Sequence, residues 1–458
     1  MDKNMLGEAL GRLCARLWGG DAVIAGLRRL SGGANMESWK FSYQDEEYVL
    51  RRAPDGFADI EAEDSALSLA DQAALIDYAE KSGVMAPAVV AILVEADAMG
   101  DGFVMRCIEG ETLPGRILRK PEFAKARPKL AHQCAAELAR LHALPMAELP
   151  VTLSHIDTAE MVEQLAERYS HYRAVLPAYA LALRWLSENC PPDVAAVLLH
   201  GDFRMGNLMV DADGLSGVLD WELAHLGDPT QDLAYLCMPS WRFGHYDRPV
   251  GGFAQIDDLL AAYSAAGGSE ISRSRFDFWL VYSTLWWGLC CLQMTEIWRD
   301  GRDTSLERAI IGRRASEVEV DLLLLLEQLM HAPETSLDQI SGQTIPTGQT
   351  SDNELAQAIR YWLESDALEG LSGHHRFERK VAINAMGMIE RAARENPKAR
   401  RARLDRATHW QQHIAAGGGI AQNADLWRDL RRDALASCVI DQPHYAGLKV
   451  AQQKWITV

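Results

Sequence analysis

The sequence predicts an α+β chain of two lobes, one strand-rich and one helical, followed by a separate all-α C-terminal domain. Three observations carry this. Short runs of β-branched and aromatic residues separated by turn residues fill the first hundred positions, and long helical periodicities begin near residue 120. One polar stretch, PETSLDQISGQTIPTGQTSDN at 333–353, then interrupts the helical pattern with Pro333, Gly342, Pro346 and Gly348.

In chain order, residues 24–30 and 39–43 read as strands flanking the turn Gly32-Gly33-Ala34-Asn35, and 48–52 follows as a third. An Ala/Leu-rich helix spans 66–81 and stops at Ser82-Gly83. Strands at 89–94 and 102–108 flank the polar turn 95–101. Helical patterns cover 127–143, 158–171 and 178–189, then break at 197–219, which reads strand, loop, strand, turn, strand. The most apolar run, 278–294, is short beside the roughly 20 residues of a bilayer span. Ser283, Thr284 and Gln293 interrupt it, so it reads as a buried helix. Past the polar stretch, 354–368, 373–395, 404–415 and 424–437 are again helical. The expected organisation is a strand-rich lobe at 1–107, a helical lobe at 108–332, a linker at 333–351 and an all-α module at 352–458.

The formal net charge is −18. From residue 345 onward Lys+Arg number 16 against 13 Asp+Glu, so the acidic excess belongs to the two lobes. Such a body repels a polyanion, and no nucleic-acid partner is expected. The basic run 394–406 (RENPKARRARLDR) reads as a solvated helix face. Eight scattered cysteines form no C-x-x-C pair, and the first twenty residues lack the basic start and apolar core of a signal peptide. A reduced, cytoplasmic chain without a membrane span is expected.

The chemistry concentrates in His200–Asp228, HGDFRMGNLMVDADGLSGVLDWELAHLGD. Phosphoryl transfer to an alcohol needs a carboxylate for the hydroxyl proton, ligands for Mg²⁺ and positive charge on the transferred group. Asp202 and Asn207 are five apart, the interval between base and metal-binding amide in a kinase catalytic loop. Arg204 supplies a fixed cation two residues after Asp202. A hairpin of 208–210 and 217–219 returns Asp220 beside Asn207, so that both can offer hard oxygens to one Mg²⁺. Asp228-Pro229-Thr230-Gln231 suits a helix start, and Asp232 one turn inside can hold the catalytic loop by hydrogen bonds.

These segments resemble the aminoglycoside phosphotransferase-like (choline kinase-like) superfamily. HGDFRMGN matches its catalytic loop and LDWELAHLGDPTQDLAYL its metal-binding turn and following helix. The resemblance covers about 30–325 and is nearest to the branch found fused to, or acting with, acyl-CoA dehydrogenases, where a basic residue at the position of Arg204 is typical. It implies a two-lobed protein-kinase-like fold, with Asp202 as catalytic base and Asn207 and Asp220 on magnesium. On the nucleotide side it implies that Gly32, Gly33 and Asn35 lie over the phosphates, and that the backbone near Arg106 and Ile108 meets adenine. Arg51 stands where a lysine usually holds the α- and β-phosphates, and its fork suits phosphate. The expected glutamate partner aligns with Gln72, so an Arg51–Gln72 hydrogen bond is expected in place of an ion pair; Glu61 or Glu63 is the alternative in another register.

The expected activity is ATP- and Mg²⁺-dependent phosphorylation of a small-molecule hydroxyl. The resemblance points to a hydroxyacyl-CoA or hydroxy acid; an antibiotic of aminoglycoside type is the runner-up, and the acidic body suits such a cationic alcohol. The rival from another class is a nucleotide-binding pseudokinase or scaffold, suggested by Gln72 and the extra domain. Trp286, Trp287 and Trp298 with the polar segment 243–252 are candidates for a substrate pocket and lid. The C-terminal module is expected to pack or to dock a protein partner.

Overall fold

The computed structural model describes residues 2–19, 23–30, 36–53, 67–172, 174–337, 348–350, 354–356, 358–359, 362, 373–393 and 397–456. The chain forms two compact units, each gathered from separate stretches: Met1–His155, Val194–Leu236 and Phe253–Ile271 in the first, Ile156–Asp193, Cys237–Gly252 and Ser272–Val458 in the second.

The first unit opens with a helix for which the sequence analysis made no expectation, α1 (Lys3–Trp18). Asp2 caps it, accepting from the N–H groups of Asn4 at 2.8 Å and Met5 at 2.9 Å. Leu6, Leu10 and Leu13 recur at helical spacing, and together with Ala9 and Cys14 they are fully buried. They pack into the core of a five-stranded antiparallel sheet, whose order is β1 (Ala25–Arg29), β2 (Glu37–Tyr43), β3 (Glu46–Arg52), β5 (Gly102–Arg106), β4 (Val89–Ile92). A two-residue turn joins β2 to β3, with Gln44 at φ 51° and Asp45 at φ 66°, the left-handed pair that matches strand twist. Helix α2 (Leu69–Lys81) follows, capped by Ser68, which accepts from the Asp71 N–H at 3.1 Å.

After the short turn α3 (Pro114–Ile117) comes α4 (Leu130–His142). Two small antiparallel pairs stand beyond it: β6 (Val197–Leu199) with β9 (His225–Gly227), and the hairpin β7 (Leu208–Val210) with β8 (Leu215–Val218). Helices α7 (Thr230–Leu236) and α8 (Ile256–Ala265) complete the unit, α8 against α4.

The second unit is helical: α5 (Thr158–His171), α6 (Pro177–Glu188), α9 (Arg273–Arg299), α10 (Leu306–Gly312) and α11 (Ala315–Leu329), then α12 (Gly373–Ala393), α13 (Pro397–Ala415), α14 (Ala424–Asp441) and α15 (Ala446–Trp455). Among the described residues the C-terminal region is helical, as its periodicity predicts, with a single isolated bridge between Leu337 and Ile456. No described helix is long and apolar enough to cross a membrane.

The C-terminal helices share a core with α6, α9, α10 and α11. The reason lies in charge. Helix α11 buries Glu317, Glu319, Asp321 and Glu327, and a buried carboxylate demands a partner. Arg431 of α14 meets Glu327 at 2.8 Å, the Trp455 indole N–H donates to the same carboxylate at 2.8 Å, and Tyr445 donates to Asp321 at 2.5 Å. In the other direction Arg313 donates from Nε to the buried Asp441 at 2.8 Å. The basic run is thus only partly the solvated face expected: Arg401 faces water beside Asp405, whereas Arg403 is buried and Arg406 binds Asp433 at 2.6 Å.

Residues 338–347 and 351–353 of the polar stretch lie outside the described residues, and the flanking Leu337 N–H donates to the Trp455 carbonyl at 2.9 Å. Limited proteolysis is expected to nick within 333–353, where no apolar pattern holds the chain, yet the two pieces should co-elute under native conditions and part only in denaturant. A freely eluting C-terminal fragment would show that these buried pairs do not hold the helices in place.

Glu319 is the exception on α11. No hydrogen bond or ion pair reaches its carboxylate among the described residues; it lines a small cavity with Arg403, Asp433 and Ser437. Burial pushes it up to about 8, with Asp433 and Asp441 adding to the rise and Arg403 opposing it. Its folded value lies above the unfolded one of about 4.3, so its contribution to stability is full below that pH and is lost as pH rises through 8. Glu319→Gln is therefore expected to exceed wild type in stability above pH 8 and to flatten the loss between pH 5 and 8, read by urea unfolding. Parallel pH profiles for the two proteins would contradict this.

Candidate active site

Strand β6 delivers the loop His200–Asn207 from a fully buried Leu199. Gly201 has φ 78°, and a Cβ there would lie 2.1 Å from the Leu223 carbonyl oxygen, so only glycine fits. Asp232 of α7 fastens this turn: its carboxylate accepts from the N–H of His200 at 2.8 Å and of Gly201 at 2.9 Å. His142 Nε2 lies 3.3 Å from the same carboxylate, and its Nδ1 lies 2.8 Å from the Tyr263 hydroxyl. Burial alone would raise Asp232, but the hydrogen bond from His142, with that from the His200 N–H, outweighs it and holds the carboxyl below its usual value.

His200 is fully buried. Its Nδ1 accepts from the Asp202 N–H at 3.2 Å, so Nε2 carries the hydrogen donated to the Leu219 carbonyl at 3.1 Å. Burial lowers this imidazole from its ordinary value despite nearby carboxylates. A neutral ring therefore joins the catalytic loop to the strand before Asp220.

The Asp202 carboxylate is held on both oxygens. Arg204 Nε donates to Oδ1 at 2.8 Å and the Asn207 amide donates to Oδ2. Burial raises its pKa, Arg204 opposes that and Asp220 adds to it; the net shift is upward. A carboxyl raised in this way takes up a proton more readily than an ordinary one. Asn207 also donates to the Asp202 carbonyl at 3.0 Å, and its own carbonyl accepts from the Leu219 N–H at 2.8 Å. That last bond sets Asp220, at φ 70°, beside Asn207. The structure thus brings Asp202, Arg204, Asn207 and Asp220 together through the hairpin of β7 and β8.

The donor set fits Mg²⁺. With Asn207 Nδ2 turned to Asp202, Oδ1 remains as a hard oxygen, and Asp220 supplies carboxylate oxygens. No cluster of three or more His, Cys, Asp or Glu suited to a metal occurs among the described residues. One or two protein ligands completed by phosphate oxygens is the usual Mg²⁺ arrangement in phosphotransfer.

On the sheet, Arg51 occupies the interior strand β3, opposite Ser38 and Phe103. The expected Arg51–Gln72 hydrogen bond does not form. Gln72 is buried at 2% exposure and donates to the carbonyl of Leu67, the residue before the Ser68 cap, at 2.8 Å. Arg51 instead donates from Nη2 to Asp220 Oδ1 and Glu222 Oε2, each at 2.7 Å. Burial, followed by the Asp220 charge, pushes Glu222 up to about 7 against the pull of Arg51. Arg106 ends β5, its N–H donating to Ala88 and its side chain to Glu46 at 2.6 Å; the Ile108 N–H makes no hydrogen bond among the described residues. Gly32, Gly33 and Asn35, and the alternative partners Glu61 and Glu63, lie outside the described residues.

Glu222 escaped the sequence reading, although Asp220-Trp221-Glu222 carries a signal. Glu222 stands two residues after Asp220 in the same short segment, with a large apolar side chain between the two acids. Trp221 is buried, its ring centroid 5.0 Å from that of His200, while both acids face Arg51. His142 and Tyr263 gave no comparable signal. Of the substrate candidates, Trp298 belongs to a core with Leu306 and Ala309. Trp287 packs on Trp241 at 4.9 Å under the Arg314 guanidinium, and segment 243–252 runs from the Trp241 packing into a buried end at Val250–Gly252.

The profile of the phosphotransferase enzyme family matches residues 26–270, and that of a domain of unknown function matches 369–445. Acyl-CoA dehydrogenase family member 11 of Pongo abelii is 27% identical over 255 residues, 52% of this chain and 32% of that protein. Homoserine kinase of Methylocella silvestris is 32% identical over 147 residues, 30% of this chain and 43% of that protein. The chain spans about a third of the length of the acyl-CoA dehydrogenase relatives it matches. A putative aminoglycoside phosphotransferase from Ralstonia eutropha shares the fold, with TM-score 0.53 and 19% identity over 68% of this chain and 95% of that one.

Proposed function

The chain belongs to the phosphotransferase enzyme family, and from that premise we propose that it transfers the γ-phosphoryl group of ATP to a hydroxyl of a small molecule with the help of Mg²⁺. The observation that carries the reading is the doubly held Asp202 beside Arg204, Asn207 and Asp220. Asp202 accepts the proton of the acceptor hydroxyl as its oxygen bonds to the γ-phosphorus and the bond to the ADP oxygen breaks. Arg204 stabilises charge on the group in transit. Asn207 and Asp220 would hold Mg²⁺, which would supply charge neutralisation for the phosphates. Arg51 takes the α- and β-phosphates, and the Ile108 N–H and the backbone at Arg106 take adenine; the assignment of Gly32, Gly33 and Asn35 to the phosphates rests on the sequence resemblance alone.

A hydroxyacyl-CoA or small hydroxy acid is the acceptor we favour. The relatives named as acyl-CoA dehydrogenase family members and the homoserine kinase support it, homoserine being itself a hydroxy acid. The catalytic part occupies the lobes 1–107 and 108–332, in the cytoplasm, and the all-α module 352–458 serves to dock a protein partner. The pseudokinase reading draws on Gln72, which does not support Arg51.

An ADP-release assay with Mg·ATP over hydroxyacyl-CoAs, free hydroxy acids, homoserine, aminoglycosides and choline tests this. Turnover is expected with an acyl-CoA or hydroxy acid. Turnover with aminoglycosides alone would move the chain to the antibiotic kinases, and no ADP release with no nucleotide binding at millimolar Mg·ATP would leave the scaffold reading.

A further inference from the structure

We propose that Glu222 is the carboxylate that positions Arg51 for the nucleotide, in place of a carboxylate on α2. The inference rests on the phosphotransferase reading above. Among the described residues no hydrogen bond joins helix α2 to Arg51, whose Nη2 donates to Asp220 and Glu222: Gln72 is committed to Leu67, Asp71 accepts from the Ser68 hydroxyl at 2.7 Å, and Asp77 pairs with Lys81 at 2.7 Å. Glu222 Oε2 lies 2.7 Å from Arg51 Nη2. Both partners are fixed from behind. Arg51 stands between buried Leu50 and Arg52 in a strand paired on both sides. Glu222 follows Trp221, whose indole donates to the Val218 carbonyl at 3.0 Å, and its own carbonyl accepts from the Leu67 N–H at 3.2 Å.

The guanidinium is used on one corner only. Nη2 serves Asp220 and Glu222, whereas Nε is buried with no hydrogen-bond partner. An orphaned charged donor beside a carboxylate clamp is the arrangement expected where phosphate oxygens complete the set. The clamp makes Glu222 a positioning residue: it acts on nucleotide through Arg51 and touches neither phosphate nor the acceptor.

A double-mutant cycle between Arg51 and Glu222 tests this, read two ways on the intact chain. Affinity for a non-hydrolysable Mg·ATP analogue comes from calorimetry. Arg51→Ala is expected to weaken it about 10- to 100-fold, the scale of one charged hydrogen bond. Glu222→Gln should weaken it about three- to tenfold when Arg51 is present and leave it unchanged in Arg51→Ala. Gln72→Glu added to Glu222→Gln should not restore it. Equal losses from Glu222→Gln in both backgrounds, no loss, recovery on raising Mg²⁺, or rescue by Gln72→Glu would each overturn the proposal. The second reading is urea unfolding of the ligand-free chain, where the pair should show favourable coupling; Glu222→Asp, which keeps the charge, serves if the Gln variant does not fold. Zero coupling there sinks the clamp alone. Failure of the wild type to bind Mg·ATP sinks the phosphotransferase reading, and the role of the clamp with it.

Discussion

Asp202→Asn is expected to lower turnover by about 10²–10⁴-fold, the usual contribution of a positioned general base, while nucleotide affinity stays near wild type. The amide keeps the shape of the carboxylate and one oxygen, so Arg204 Nε retains an acceptor at its 2.8 Å position. What disappears is the capacity to take a proton, together with the charge that Arg204 and Asn207 jointly hold. Turnover with the best acceptor and calorimetry with a non-hydrolysable analogue separate the two effects. Unchanged turnover would remove Asp202 from the mechanism, and parallel loss of nucleotide binding would move its role to the ground state.

Asp232→Ala is expected to destabilise the first unit by about 3–5 kcal/mol, the cost of breaking a buried charged network by removing one member. The change strips partners from two backbone N–H groups and from His142; His200, His142 and Asp232 are buried and Gly201 is half-buried. Asp232→Asn, which keeps one acceptor oxygen, should lose less. The sign with pH follows from the carboxyl being held below its usual value. Its contribution is present above the unfolded value of about 3.9 and is lost as pH falls through the lower folded value. Wild type should therefore show an acid-limb loss that Asp232→Ala lacks. Unfolding midpoints that coincide at pH 7 would mean that the loop is held by something else.

The grouping around Asp202 was legible because its contacts are local. HGDFRMGN places Asp202 and Asn207 on one loop, the hairpin that returns Asp220 is short, and Asp232 lies one turn into the next helix. Spacing along a chain this tightly folded is nearly distance. The nucleotide side was less legible. Gln72 was matched to Arg51 by position on a helix, yet α2 is set by its Ser68 cap and by the Leu67 contact, and these turn Gln72 inward. Helix α1 carried a plain Leu6, Leu10, Leu13 stripe but no chemistry to draw attention to it.

By itself, then, the sequence determined the α+β class, most of the elements and the closeness of Asp202, Arg204, Asn207 and Asp220, since periodicity and short-range spacing survive folding unchanged. Tertiary structure alone decided which charges meet. Arg51 is separated from Glu222 by 171 positions and Arg313 from Asp441 by 128. No pattern along the chain links such residues. They pair because burial makes an isolated charge too costly to leave alone, and the partner is whichever opposite charge the packing of helices and strands brings within reach.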